Sequence, residues 1–260
     1  MSSASDNIAF VLVPPSFSPA SFYDRVVPLL KEKGYAAYPT DLKSVNDGKG
    51  APVSMYEDAT EISSVIARLA DQGKGVVLVA NSYGGIPATQ SAKGFSKAER
   101  RADSKPGALV SIIYLSSFIA PEGGCINDLM ADRMPENTKK PVDYQTMDPK
   151  TDAEYIFTHL SGAEKADYAY RLKRHSSRTF DDRLTHTGYL HVPSTYVIAT
   201  DDMVITTDFA KDMVDAANAK GANIVVKEMH SDHCPMISHP EDVVEILVQA
   251  AEQGNILLNS

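Results

Sequence analysis

Tryptophan is absent from the chain, and cysteine occurs only twice, at Cys125 and Cys234. Two thiols are too few for a disulfide framework, so a packed core must hold the fold, and free thiols in a reducing compartment are the simpler reading. Positive charge is also scarce: 25 Lys and Arg stand against 34 Asp and Glu, a net charge of −9. An acidic surface repels phosphate backbones and anionic bilayers, which argues against nucleic acid and membrane partners. Long apolar runs are missing as well. Ile8 to Val13 and Ala108 to Leu115 have strand length, well short of the about 20 residues a membrane helix needs. The opening Met-Ser-Ser-Ala-Ser-Asp-Asn has neither the basic nor the apolar stretch of a secretory signal, so a cytoplasmic protein is expected. No Gly-x-Gly-x-x-Gly or Walker pattern occurs, and no nucleotide or other cofactor is implied.

What the chain does have is 260 residues, 43% of them hydrophobic, enough for one large core. Short β-branched runs alternate with longer amphipathic stretches. Strands are read at 8–13, 36–38, 75–80, 109–115, 195–199 and 224–227. Helices are read from Phe22 to Leu30, at 57–70, 85–94 and 209–219, and at 241–251. Alternation of this kind predicts an α/β fold with a mostly parallel sheet covered by helices on both faces. Residues 119–190 break the rhythm with polar loops at 135–149 and two helical stretches, 152–160 and 163–172. They offer no strand to the sheet, so an inserted helical lid over the carboxyl ends of the strands is expected, the core being 1–118 and 191–260.

The run Val79-Ala-Asn-Ser-Tyr-Gly-Gly85 puts Ser82 on a sharp turn between a strand and a helix. Such a turn needs small neighbours and presents the hydroxyl at the sheet edge, beside the free N–H groups of a helix start. An ordinary βα turn would read similarly, so partners decide the matter. The required order is nucleophile, acid, histidine. Thr200-Asp201-Asp202 closes one late strand, and His230-Ser-Asp-His233-Cys-Pro-Met236 follows the last one. A carboxylate there can fix the tautomer of an imidazole that deprotonates Ser82. A metal set of His230, His233 and Cys234 lacks a second paired cluster, and a core-facing thiol is preferred; no metal is assigned.

These runs, with Pro193 to Asp202 and Phe118-Ile-Ala-Pro-Glu-Gly123, resemble the small intracellular α/β-hydrolases related to plant methylesterases and hydroxynitrile lyases, especially their bacterial and fungal branch. The resemblance spans most of the chain. It implies an α/β-hydrolase fold and a triad of Ser82, Asp202 and His233, with Asp202 favoured over Asp201 and His233 over His230. It also implies an oxyanion hole of two backbone N–H groups. One is that of Tyr83, whose ring is expected in the pocket wall. The other comes from the loop after the first strand, which reads Pro14-Pro15-Ser16-Phe17 where the family usually has His-Gly-small. Prolines carry no N–H, so Ser16 is the expected donor and Phe17 the fallback. The cyanohydrin-cleaving relatives need a Thr and a Lys where this chain has Pro15 and Cys234, which removes the lyase reading.

The expectation is therefore a serine hydrolase acting on a small apolar ester, thioester or lactone. Phe17, Asn81, Met203 and Phe157 are the expected substrate contacts, with Tyr155, Phe180, Met229 and Met236 as further apolar candidates. The expected partner is the small-molecule substrate, and a homodimer is compatible with the sequence. The rival readings are a hydrolase-fold receptor, which binds without turnover, and a non-hydrolytic isomerase or lyase using His233 as base. The basic pairs Arg100-Arg101 and Lys139-Lys140 are read as solvated.

Overall fold

The computed structural model describes residues 4–131, 133 and 142–259. Strands β1 (Ile8–Val13), β2 (Ala36–Pro39), β3 (Gly75–Ser82), β4 (Ala108–Ser117), β5 (Ser194–Ala199) and β6 (Val225–Met229) form one sheet. Its order is β2-β1-β3-β4-β5-β6, and every neighbouring pair is parallel. All residues of β1, β3 and β4 are buried, as expected for strands covered on both faces.

The alternation along β1 explains how one run serves two cores. Ala9, Val11 and Val13 pack with helices α2 (Met55–Ala70), α3 (Gly85–Ser91) and α4 (Thr207–Asn218) on one face. Ile8, Phe10 and Leu12 pack on the other face with α1 (Val26–Glu32) and α5 (Pro240–Asn259).

Helix ends differ from the periodicity in instructive ways. α2 starts at Met55, earlier than read, because Glu57 Oε2 accepts hydrogen bonds from the Ser54 N–H and hydroxyl. α5 runs on past the expected end at 251, through Gly254 to Asn259. A Cβ at Gly254 would lie 2.7 Å from Val110 Cγ2, so the glycine lets the helix lie close on β4. The stretch read as a helix over 152–160 is helical only at Ala153–Ile156. Phe157 leaves the helical conformation and packs its ring against Phe22 and Tyr168.

Between β4 and β5 the chain adds no strand to the main sheet among the described residues. It carries a helix at Gly162–Tyr170 and two short strands, Tyr144–Gln145 and Arg174–Ser176. Arg174–Ser176 lies antiparallel between Tyr144–Gln145 and Val45–Asn46, which tethers the insertion to the segment before α2. Arg100 corrects an expectation: it is buried, donating to Asp71 and to the carbonyls of Pro106 and Gly107. Lys139, Lys140 and residues 135–141 of the expected loop lie outside the described residues. Among the described residues no helix is long and apolar enough to cross a membrane.

Candidate active site

The carboxyl ends of parallel strands share one edge, and there the chain gathers its reactive groups. Ser82 ends β3 with φ of 53°, a left-handed conformation rare for a side-chain-bearing residue. Two donors from the end of β4 and the residue after it hold this conformation. Ser82 O accepts from Phe118 N at 3.0 Å and from Ser117 Oγ at 2.8 Å. Gly84 and Gly85 then let other backbone approach. A Cβ on Gly84 would meet Pro14 O at 2.6 Å, and one on Gly85 would meet Ser117 Oγ at 2.2 Å.

His233 and Asp202 follow β6 and β5. His233 Nδ1 lies 2.7 Å from Asp202 Oδ2, and both residues are buried. Asp202 also accepts from the Ser116 hydroxyl and, through Oδ1, from Val204 N at 2.6 Å and Ile205 N at 3.0 Å. Burial alone would push this carboxyl up, but His233 and the hydrogen bonds hold it below the ordinary carboxylate range. An ionised Asp202 fixes His233 with Nδ1–H inward and leaves Nε2 as the free base. Asp201, the other candidate acid, turns away to His159 and His230.

Ser82 and His233 open together onto a cavity of about 880 Å³. Its walls include Phe17, Phe118, Ile126, Met130, Phe157 and Val204, with Arg178 and Asp181 among its polar residues. Among the described residues the His233 ring bonds to Asp202 and not to Ser82 Oγ, and catalytic hydrogen bonds of this kind commonly tighten only around substrate. The backbone N–H groups of Ser16, Phe17 and Tyr83 donate no hydrogen bond among the described residues, so they remain available to an anion.

Of the expected substrate contacts, Phe17 and Phe157 line the cavity, and Ser16 joins them. Phe180 does so too. Asn81 and Met203 do not. Asn81 is fully buried, donating to Leu115 O at 2.7 Å and His233 O at 3.0 Å, so its amide shapes the site from behind. Met203 is exposed, and its neighbour Val204 takes the wall position. The Tyr83 ring also points away from the cavity, its hydroxyl donating to buried Asp58 at 2.6 Å. Tyr155 is exposed, while Met229 and Met236 sit in the core. Cys234 is buried, its thiol directed at Asn81 Oδ1 and pushed up by burial, which fits a packing role. Ser116 was missed: a serine on a strand end carries no signal until its acid partner is placed.

The sequence pattern of the alpha/beta hydrolase family matches residues 10–246. The chain belongs to the alpha/beta hydrolase family. Probable hydrolase R7 of Phoma sp. is 29% identical over 246 residues, covering 93% of this chain and 97% of that protein. Methylesterase 9 of Arabidopsis thaliana is 25% identical over 265 residues, 94% of this chain and 98% of that one. A crystal structure of a pyrethroid hydrolase from Sphingobium faniae shares the fold with a TM-score of 0.75, at 20% identity, over 95% of this chain and 98% of its own. This alpha/beta hydrolase is thus an enzyme of the hydrolase class, with ester hydrolases among its relatives.

Proposed function

We propose that the protein hydrolyses a small, largely apolar carboxylic ester, thioester or lactone through an acyl-enzyme on Ser82. The observation that carries this reading is the shared cavity. A serine strained at φ 53° faces it together with a histidine whose other ring nitrogen is held 2.7 Å from a buried carboxylate. In this reading Ser82 Oγ attacks the carbonyl carbon while His233 Nε2 takes its proton. The oxyanion is held by the N–H groups of Tyr83 and Ser16, each donor lowering the barrier by about 3 kcal/mol. His233 then returns the proton to the leaving alcohol or thiol, and water repeats the sequence to release the acid. Asp202 orients His233 and stabilises its charged form.

The substrate class follows from the walls, where aromatic, Met, branched aliphatic and proline side chains together outnumber the polar ones. Residues 119–190 act as the lid in this reading, since Ile126, Phe157 and Phe180 all come from that insertion. The name of Methylesterase 9 supports carboxylic esters as the bond cleaved. The test is fluorophosphonate labelling with a small-ester panel, run on the protein and on Ser82→Ala. Labelling and turnover that both depend on Ser82 are expected, with product mass showing the addition of water. Turnover that survives in Ser82→Ala, or product of unchanged mass, overturns the reading.

A further inference from the structure

Outside the cavity, three metal-ligating side chains converge where the insertion meets the two loops that carry Asp202 and His233. Their ligand atoms all lie within 4.8 Å of one another: one from His159, one from Asp201 and one from His230. His159 Nε2 is 3.0 Å from Asp201 Oδ2, and His230 Nδ1 is 3.2 Å from the same oxygen. Ligands about 2.0–2.1 Å from a tetrahedral ion sit about 3.3 Å apart, so only small side-chain shifts would admit one. We propose that His159, Asp201 and His230 bind a divalent transition-metal cation of the zinc type, clamping the insertion to the loops after β5 and β6.

The surroundings favour a ligand set over a chance surface pair. His159 Nδ1 lies 2.9 Å from His239 Nε2, and His239 Nδ1 lies 3.6 Å from Asp242. A histidine that gives one nitrogen to a metal characteristically has the other held in this way, which sets its tautomer and ring plane. The backbone is braced as well. His159 N donates to Asp232 Oδ2 at 3.1 Å, and Asp201 N donates to Ser231 O at 3.0 Å. Two imidazoles and one carboxylate suit zinc, nickel or copper(II), whereas magnesium and calcium prefer all-oxygen sites. Three protein ligands leave the remaining coordination to water, in keeping with the exposed His230. The sequence assigned no metal because its only visible set was His230, His233 and Cys234. His233 is held by Asp202 and Cys234 faces Asn81, so that set does not form.

The test uses the full chain, free of any affinity tag and stripped by a chelator, titrated with Zn2+ by calorimetry against a competing chelator. Saturable binding of one ion and a rise in Tm are expected, because the assembled site binds the ion more tightly than the scattered His and Cys of the unfolded chain do. Co2+ in its place should give the visible bands of a low-coordinate nitrogen and oxygen site. His230→Ala and Asp201→Asn should weaken binding by well over tenfold, and His239→Ala by about tenfold. His230 is largely exposed, so the metal-free Tm of His230→Ala should match that of the parent, which separates lost binding from lost folding. Binding of several weak ions, unchanged affinity in His230→Ala, or Mg2+ competing as well as Zn2+ would each overturn the proposal. Unchanged affinity would direct attention to the stacked pair His186 and His191 instead.

Discussion

At the scale of single residues, two adjacent carboxylates have opposite fates. Asp202 is enclosed and receives four hydrogen bonds, whereas Asp201 stands half-exposed among surface histidines. Asp202→Asn keeps the shape but reverses the polarity facing His233, which favours the wrong tautomer. The expected result is a fall in kcat of about ten-thousand-fold with little change in KM, since Asp202 does not line the cavity. Steady-state kinetics on an ester substrate check this, and Asp201→Asn should fall far short of that loss. Asn81 gives a second prediction. Its amide satisfies two buried carbonyls, those of Leu115 and His233. Asn81→Leu strands both, and urea unfolding should show a loss of about 2–4 kcal/mol. Unchanged stability would mean that water or a shifted backbone replaces the amide.

At the scale of elements, the turn from β3 into α3 is where sequence and geometry agree most closely. Gly85→Ala would drive a methyl into Ser117 Oγ, which donates to Ser82 O, and into the carbonyl of Phe118, the residue whose N–H also donates to Ser82 O. A stability loss of about 3 kcal/mol is expected by denaturant unfolding, together with reduced fluorophosphonate labelling. That turn was legible because its requirements are local: a strand, a serine, small residues after it. The parallel sheet was legible for the same reason, through runs such as Val76 to Ala80 that are buried on both faces. The loops that carry Asp201-Asp202 and His230 to His233 were legible because strand ends order them along the chain, while the preference for Asp202 and His233 came from the family resemblance. The rest depended on contacts between distant segments. Asn81 looks like a substrate contact until His233 O is seen beside it, and Arg100 looks solvated until Asp71 and Gly107 close around it. α5 runs beyond its expected end at 251, and Gly254 within that extension has a role defined by Val110 on another element.

At the scale of the whole molecule, a buried polar network ties the insertion to the core beneath the nucleophile. His175, on the middle strand of the small three-stranded sheet, has Nε2 3.1 Å from both Ser44 Oγ and Thr179 Oγ1. Those hydroxyls donate to Asp58 and to Ser176 O, so the imidazole N–H is the donor. Ser44 and Tyr83 in turn donate to Asp58 on α2. His175 Nδ1 is buried without a partner, and burial lowers the imidazole to about 3 from its ordinary value. The folded protein therefore keeps His175 neutral where the unfolded chain, with a pKa of about 6.5, already binds a proton. Stability from this group is complete above that value and is lost as pH falls toward about 3, by up to about 1.4 kcal/mol per pH unit. Asp58 acts in the opposite sense, because burial raises its carboxyl and so favours the fold at the acid end. The two effects separate by difference. Urea midpoints for the protein and for His175→Phe, measured from pH 7.5 to pH about 4.5, should diverge in slope, the variant losing less stability with acid. The constant offset from the lost hydrogen bonds does not enter, since only the slope is compared. Parallel curves would show that His175 takes up its proton in the folded state over the same pH range as in the unfolded chain, which overturns the neutral buried imidazole. Divergence in the opposite sense would point to a buried charge pair beneath Ser82.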